Sequence, residues 1–247
     1  MKVLIAGYGR MGRLIEQTLF EAGDTVPVRI DTAEVAAKES DVLPSSRLGT
    51  LDKVADVIMD FSNPSLTDEL IDYAKRTGTP FLSGTTNMTG DQHRAFAALG
   101  AEMPVIWASN YSFGINLFTH ILPEITKALQ GWDIEVTETH HNKKVDAPSG
   151  TAKTLADAID PDRDYKRVYG REGNCGARTE KEIGMHSLRG GTVVGEHKVD
   201  YFGTDEVFEI THKMGSRQIL VNGAITAARR LIAKASGCYT MEDILFG

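Results

Sequence analysis

Apolar and polar positions in the first half of the chain switch repeatedly between two periods. Residues 2–6 form a nearly continuous apolar run, which is typical of a buried parallel strand. Residues 11–19 then repeat apolar side chains at helical spacing until Gly23, and residues 25–30 return to an extended pattern that ends at Asp31. The pattern predicts a strand, a helix and a second strand.

The same alternation continues as far as residue 109. Strands are predicted at residues 56–62, 79–83 and 104–109, with helices starting after Asn63-Pro64 and at Thr89. Between Asp31 and the third strand, residues 34–39 predict a short helix and residues 43–47 a loop. Strands that alternate with helices favour a parallel sheet of the Rossmann type.

After Asn110 the pattern changes to a long helix and a series of strands. A helix over 114–129 leads into a strand that we expect to end at about Thr139, followed by a helix over 150–159. Residues 160–182 are polar and glycine-rich and are expected to be a mobile loop. Three further strands are predicted at residues 183–188, 192–202 and 207–212. A last helix is predicted over 220–232, and its apolar stripe should pack on the first domain.

These patterns predict an α/β protein with a Rossmann-type parallel sheet domain and a second α+β domain built on a mixed, open sheet. We expect residues 1–111 plus 216–247 to form a dinucleotide-binding domain. Residues 112–215 should form a substrate-binding and oligomerisation domain.

Composition and charge narrow the possible functions. The chain has 247 residues and a formal net charge of −7, which disfavours nucleic-acid binding. We find no pattern of a signal peptide or a membrane span and expect a cytoplasmic protein. Cys175 and Cys238 stand alone, so the sequence predicts neither a disulfide framework nor a zinc site.

A glycine-rich fingerprint follows the first strand directly. It consists of Gly7, Tyr8, Gly9, Arg10, Met11 and Gly12 and leads into the first helix, with Asp31 at the end of the second strand. In this context the glycines predict NAD(P) binding: Gly7 for the turn, Gly9 for approach of the pyrophosphate and Gly12 for close packing. Asp31 should bind the adenosine ribose and favour NADH, although Arg10 could offset its repulsion of NADPH; alternatively, Asp31 is a solvated acid at a strand end.

Two further segments lie where predicted parallel strands end. Ligands of such sheets bind beyond the carboxyl ends of the strands, so these segments are candidates to line the nicotinamide side. Without the fingerprint upstream, each would be interpreted as an ordinary loop. They are Gly84, Thr85 and Thr86, and Ala108, Ser109, Asn110 and Tyr111.

The densest polar chemistry lies in residues 138–152, E-T-H-H-N-K-K-V-D-A-P-S-G-T-A. When hydride is transferred to a carbon of the substrate, the neighbouring atom must take up a proton. His140 is suited to donate that proton near neutral pH. A neighbouring lysine and the helix start at Ser149 could hold carboxylates. We expect an anionic dicarboxylate attracted by a basic cluster of Lys143, Lys144, Arg178, Lys181, Arg189 and Lys198.

Structural roles compete with these functional ones. A lone histidine at a strand end is usually structural, Asp146 and Pro148 suit a turn, and Ser149 suits a helix N-cap. Adjacent His140 and His141 are poorly placed to bind one metal ion, so we expect no metal site. Structural roles are assigned to His93, His120, His186, His197 and His212.

The central motif resembles the signature of the bacterial 4-hydroxy-tetrahydrodipicolinate reductase family, formerly called dihydrodipicolinate reductase. The resemblance rests on residues 138–152, and residues 7–12, 84–86, 108–111 and 189–197 resemble further blocks of that family. It covers essentially the whole chain, although the segments after Asp31 and Asp160 look short for the family.

The resemblance implies an NAD(P)H-dependent oxidoreductase that reduces 4-hydroxy-tetrahydrodipicolinate in the diaminopimelate route of lysine biosynthesis. It implies catalytic roles for His140 and Lys144 and substrate binding by His141, Gly150 and Thr151. It also implies a homotetramer assembled through the central sheet.

Two other functions remain open from the residues. An aspartate or homoserine dehydrogenase would account for the fingerprint and the order of domains, but gives no reason for His140 and His141 with Lys144. A non-catalytic NAD-sensing module would account for the fingerprint alone.

Overall fold

A computed structural model describes residues 1–247, which divide into two compact units. Unit 1 comprises Met1–Phe113 and Gln218–Gly247, and unit 2 comprises Gly114–Arg217. The strands are β1 Lys2–Ala6, β2 Thr25–Asp31, β3 Leu43–Pro44, β4 Val57–Asp60, β5 Phe81–Ser83, β6 Pro104–Trp107, β7 Asp133–His140, β8 Lys166–Tyr169, β9 Glu182–Arg189, β10 Gly195–Gly203, β11 Glu206–Met214 and β12 Gly237–Tyr239.

The helices occupy the segments between most of these strands. They are α1 Arg10–Glu21, α2 Ala33–Ala36, α3 Thr67–Thr77, α4 Gly90–Ala98, α5 Phe113–Ala128, α6 Gly150–Ile159, α7 Gln218–Leu231 and α8 Met241–Leu245, with 3-10 helices at Ser45–Thr50, Pro64–Leu66 and Leu99–Ala101. None of the helices combines the length and the apolar character that crossing a bilayer requires.

Unit 1 contains a seven-stranded parallel sheet in the order β12-β6-β5-β4-β1-β2-β3. Successive side chains of β1 face opposite sides of this sheet. Val3 and Ile5 pack in the core that contains α1 and α7, whereas Leu4 and Ala6 pack in the core that contains α3 and α4. Because both faces are covered, the strand is apolar throughout rather than alternating.

Unit 2 contains a mixed five-stranded sheet in the order β11-β10-β7-β9-β8. Strands β11, β10 and β7 pair antiparallel, whereas β7, β9 and β8 pair parallel. Ile134 and Val136 of β7 pack with Phe118 of α5 and Leu155 of α6. The predicted α/β class, with a Rossmann-type sheet and a second mixed sheet, is therefore confirmed.

Local end signals predicted several helix boundaries correctly. Thr89 and Gln92 form a reciprocal capping box at α4, the Ser149 side chain caps α6, and Gly78 ends α3 in the left-handed conformation. Asn63 caps the 3-10 turn Pro64–Leu66 that precedes α3. These caps depend on neighbouring residues only, which is why the sequence reveals them.

The predictions were wrong where short segments are ordered by distant partners. Part of the loop expected over 43–47 is β3, in which Leu43 pairs with Ile30, and the rest begins a 3-10 helix. The segment 160–182 contains β8, and Arg178 anchors its end by donating to Ile134 O at 3.1 Å and Glu182 O at 2.6 Å. The prediction also missed β12 and α8.

Gly9 and Gly12, at the start of α1, differ in the space around them. A Cβ added at Gly12 would lie 2.0 Å from the carbonyl oxygen of Gly7, whereas one added at Gly9 would meet nothing within 4 Å. Gly7 itself has a φ of +88°, a backbone conformation that residues other than glycine rarely adopt. Close packing of α1 on the loop therefore requires Gly12, while Gly9 borders open space.

We expect Gly12→Ala to lower the free energy of unfolding by more than about 2 kcal/mol, because the new methyl group would overlap with the backbone. Gly9→Ala is the matched control and should cost less than about 1 kcal/mol, the scale of changing an exposed helix cap. Urea denaturation of both variants measures the difference. Equal losses would contradict the packing role assigned to Gly12.

Candidate active site

The predicted dinucleotide fingerprint of unit 1 follows β1 and runs into the first turn of α1. Gly9 is the N-cap residue of α1, no side chain caps that helix, and its first turn contains no acidic residue. The first amides of a helix favour an anion, and the open space beside Gly9 leaves them accessible. This segment fits the diphosphate of NAD(P)H, which would lie on residues 7–12.

Asp31 ends β2 beside the fingerprint. Its Oδ2 accepts the backbone N–H of Tyr8 at 2.6 Å, and its Oδ1 accepts that of Thr32 at 2.7 Å. Asp31 is buried, so it is part of the loop structure rather than a solvated acid. The carboxylate nevertheless lies where the sequence predicted the ribose-binding acid.

A second carboxylate, Asp60, is fully buried at the end of β4. Its oxygens accept the hydroxyls of Ser62 at 2.6 Å, Ser83 at 2.7 Å and Thr85 at 2.8 Å. Burial raises the pKa of Asp60, although these hydrogen bonds act in the opposite direction. The network joins the loop after β4 to the loop after β5.

The other predicted nicotinamide-side residues lie around this network. Thr85 is buried in it, and Gly84 packs so closely on Phe61 that an added Cβ would lie 2.4 Å from the ring. Tyr111 is also buried, and its hydroxyl donates to Ser83 O at 2.7 Å. The exposed or partly exposed members are Thr86, Ala108, Ser109 and Asn110.

In unit 2, the strand that carries the predicted acid–base group extends one residue further than expected. Strand β7 includes His140, and its side chains alternate so that Glu138 and His140 share the buried face. Nδ1 of His140 hydrogen-bonds to Oε2 of Glu138. His141 lies beyond the strand, and its Nδ1 is buried without a protein partner.

Glu138 is the most heavily bonded carboxylate of this site. Besides His140, it accepts the guanidinium of Arg189 at 2.8 and 2.9 Å and the backbone N–H of Ser149 at 3.1 Å. Burial alone would raise the pKa of Glu138, but the hydrogen bonds from Arg189, His140 and Ser149 outweigh it and lower the pKa to about 2.

Because Glu138 stays ionised, it can only accept hydrogen bonds. Nδ1 of His140 must then carry the proton of their hydrogen bond, which leaves Nε2 to take up or release a proton. A Cβ added at Gly195 would lie 3.2 Å from this Nε2, so the glycine leaves space at the reactive nitrogen. The geometry suits general acid–base chemistry at His140.

His197 lies in the same cluster, although a structural role was predicted for it. It faces Glu138 across the β7–β10 pairing, its ring centroid lies 5.2 Å from that of His140, and its Nε2 lies 3.1 Å from Ser149 Oγ. Burial, together with the nearby His140, lowers the pKa of His197 to about 4. His197 is therefore neutral near pH 7 and adds no cation beside His140.

The loop after β7 carries Lys144 and leads to α6. Lys144 donates to Asp146 Oδ1 at 2.6 Å, and Arg189 donates to the backbone carbonyl of Asp146 at 2.6 Å. Arg189 thus links this loop to Glu138. Asp146, for which only a turn role was considered, also positions Lys144.

The start of α6 presents the predicted carboxylate-binding residues. Ser149 caps the helix by accepting the N–H of Ala152 at 3.2 Å, and the first turn contains no acidic residue. Gly150 is exposed, and a Cβ added there would meet nothing within 4 Å. Gly150 and Thr151 are therefore placed where helix amides favour an anion.

The basic cluster predicted to attract the substrate is mostly neutralised, so that prediction was wrong as a set. Arg178 pairs with Asp133 and Glu135, and Lys198 pairs with Asp200 and Glu209. Of the remaining members, Lys144 and Arg189 pair within the site, and Lys143 and Lys181 have no ion pair. Sequence proximity failed here because β-sheet partners supply the counter-charges.

The sequence reasoning gave no site role to Glu138, His197 or Gly195, and it expected Arg189 only as part of the basic cluster. Strand alternation could have identified Glu138, which is two residues from His140 on β7. The other three come from β9 and β10, whose register with β7 has no local signal. No group of His, Cys, Asp or Glu in the structure is arranged to hold a metal ion.

Comparison with known proteins identifies the family. The sequence model described as "Dihydrodipicolinate reductase, N-terminus" matches residues 1–111, and that described as "Dihydrodipicolinate reductase, C-terminus" matches residues 114–245. The chain belongs to the dihydrodipicolinate reductase family. It is accordingly an oxidoreductase, and its family and its Rossmann-type sheet indicate NAD(P)H binding.

Individual relatives agree along nearly their full length. The chain is 37% identical over 244 residues to a 4-hydroxy-tetrahydrodipicolinate reductase of Exiguobacterium sp., covering 99% of this chain and 95% of that protein. It is 40% identical over 246 residues to one of Staphylococcus saprophyticus, covering 99% and 100%.

A solved structure shows the same fold. The dipicolinate-bound dihydrodipicolinate reductase of Paenisporosarcina sp. TG-14 aligns with a TM-score of 0.77 and 22% identity, covering 100% of this chain and 99% of that one. The alternatives of an aspartate or homoserine dehydrogenase and of an NAD-sensing module are not favoured.

The low pKa of Glu138 predicts a pH-dependent contribution to stability. A folded-state pKa of about 2, well below that of an ordinary glutamate, means that the ionised carboxylate stabilises the fold above about pH 5. This contribution is lost as the pH falls towards 2. At pH 7 we expect the free energy of unfolding of the wild type to exceed that of Glu138→Gln by on the order of 3 kcal/mol. This difference should shrink in acid.

Urea denaturation across pH 3 to 7 measures this difference. Glu206→Gln, at an exposed residue of β11, is the control and should show no comparable pH dependence. A constant difference between wild type and Glu138→Gln would exclude an ionised, bonded Glu138 as its source.

Proposed function

We propose that this protein reduces 4-hydroxy-tetrahydrodipicolinate to tetrahydrodipicolinate with NADH or NADPH, in the diaminopimelate route of lysine biosynthesis. The observation that carries the proposal is the Glu138–His140 pair beside the start of α6, on a chain of the dihydrodipicolinate reductase family. The bound dinucleotide supplies hydride. The residues of the chain supply orientation and protons.

Residues of unit 1 bind the cofactor. The amides at the start of α1 would hold the diphosphate on residues 7–12, and Asp31 would hold the adenosine ribose. Residues 84–86 and 108–111 line the nicotinamide side, with the Asp60 network fixing the first of these segments. The ribose-binding role of Asp31 favours NADH.

Residues of unit 2 bind the substrate. Its two carboxylates are held by the Gly150 and Thr151 amides at the start of α6 and by His141, whose buried Nδ1 has no partner in the protein. The relative from Paenisporosarcina binds dipicolinate, a dicarboxylate of the same kind. That likeness supports an anionic ring substrate for this chain.

His140 and Lys144 perform the proton chemistry. Glu138 holds the imidazole by Nδ1, so that Nε2 holds or delivers the proton at the substrate. Lys144 is the second proton donor, and its ammonium group is oriented by its ion pair with Asp146 Oδ1 at 2.6 Å. Arg189 supports both groups, because it bonds to the Glu138 carboxylate and to the carbonyl of Asp146.

Family resemblance also supports a cytoplasmic homotetramer assembled through the sheet of unit 2. The edge strand β11 is exposed along most of its length and presents Val207 and Phe208. Exposed apolar side chains on an edge strand suit a face covered by another copy.

We expect the purified protein to oxidise NADH or NADPH only when the condensation product of pyruvate and aspartate semialdehyde is supplied. His140→Ala and Lys144→Ala should each lower kcat by roughly 10²-fold or more, the scale of losing general acid catalysis. Lys143→Ala is the matched control for Lys144, since Lys143 is exposed and has no ion pair. Initial rates at 340 nm measure the effect.

Turnover of aspartate or homoserine, without turnover of the condensation product, would contradict the proposal. Unchanged kcat in both the His140 and the Lys144 variants would contradict the roles assigned to them, even if the activity is found.

A further inference from the structure

Tyr8, in the glycine-rich loop, connects Asp31 to a group of charged side chains. Its backbone N–H donates to Asp31 Oδ2 at 2.6 Å, and its hydroxyl donates to Glu16. The guanidinium carbon of Arg13 lies 4.6 Å from the centroid of the Tyr8 ring. Asp31 and Arg13 are thus both held against the same residue, beside the proposed ribose position.

Hydrogen bonding moderates the negative charge of Asp31. Each of its oxygens accepts one backbone N–H, from Tyr8 and from Thr32, and the residue is only 8% exposed. Amide dipoles directed at a carboxylate offset part of its field. Asp31 therefore repels a 2′-phosphate less than a freely solvated acid would, and a nearby cation could suffice to accept NADPH.

Two arginines contact Tyr8, and only one of them is available as that cation. The Arg29 guanidinium is 18% exposed and pairs with the buried carboxylate of Glu16. Arg13 is 50% exposed and pairs with Glu39, which is 38% exposed, at 2.5 Å. Exposed ion pairs contribute little free energy, so Arg13 can exchange Glu39 for another anion.

We propose that Arg13 binds the 2′-phosphate of NADPH and that Glu39 competes for it, so that the Arg13–Glu39 ion pair sets the ratio of NADPH to NADH affinity. This inference rests on the proposed function, because it assumes that the adenosine ribose lies at Asp31. Stacking on Tyr8 holds the guanidinium near that position, and a phosphate is a stronger, bidentate partner for it than one carboxylate oxygen.

Arg10 is the competing candidate for this role. It is exposed at the first position of α1 and has no ion pair. Unlike Arg13, it makes no cation–π contact with Tyr8, so nothing in the structure holds it beside Asp31. The two arginines can be distinguished by substitution.

The test measures the Kd of NADH and NADPH by titration of the intact protein, without substrate. Glu39→Gln should tighten NADPH binding relative to NADH by roughly two- to fivefold, the scale of an exposed ion pair. Arg13→Gln should weaken NADPH relative to NADH by roughly fivefold or more, as expected for losing a charge-assisted hydrogen bond to phosphate.

Glu34→Gln is the matched control for Glu39. Glu34 lies in α2, pairs with Lys38 at 2.8 Å and is exposed, so its substitution changes the net charge equally and should leave the affinity ratio unchanged. Adenosine 2′,5′-bisphosphate and AMP serve as a second pair of probes, because they differ only in the 2′-phosphate. Arg13→Gln should reduce the preference for the bisphosphate.

Equal changes in NADH and NADPH affinity for Glu39→Gln would overturn the inference. So would loss of NADPH preference in Arg10→Gln but not in Arg13→Gln. If the wild type binds neither dinucleotide, both the proposed function and this inference fail. If NADH binds tightly but the ratio of NADPH to NADH affinity is unaltered in both Glu39→Gln and Arg13→Gln, only the inference is overturned.

Discussion

The hydrogen-bonded carboxylate of Glu138 is the interaction on which the catalytic part of unit 2 depends. It joins β7 to β9 through Arg189, fixes the imidazole of His140, and holds the N–H of Ser149 at the start of α6. An unpaired buried carboxylate would strongly oppose folding, and here three donors offset that cost. The groups that position the proton donor are therefore also groups that stabilise the fold.

Buried carboxylates hold loops at the strand ends of both units, but by different chemistry. Asp60 is surrounded by the hydroxyls of Ser62, Ser83 and Thr85, and burial raises its pKa. Glu138 faces a guanidinium, and its pKa falls to about 2 despite burial. The Asp60 network uses only uncharged donors and fixes the shape of the loops on the proposed cofactor side. A permanent charge suits the partner of a histidine that must gain and lose a proton.

Local patterns in the sequence were sufficient to predict much of the architecture. They also identified the glycine fingerprint of the proposed cofactor site and the His140–Lys144 motif of the proposed substrate site. Periodicity depends on which face of a single element is buried, so the continuous run of β1 and the stripe of α7 were sufficient to predict them. The glycine fingerprint and the motif around His140 and Lys144 are contiguous, and each carries its own structural context. For the same reason the motif was sufficient to suggest the family.

Tertiary structure alone decided which residues meet. Arg189 faces His140 across the β7–β9 pairing, and His197 faces Glu138 across the β7–β10 pairing, although long stretches of chain separate them. The predicted basic cluster lost its free charge in the same way, because Arg178 and Lys198 have carboxylate partners on β7, β10 and β11. Sequence periodicity reports burial along one strand, whereas strand register is set by packing of the whole sheet.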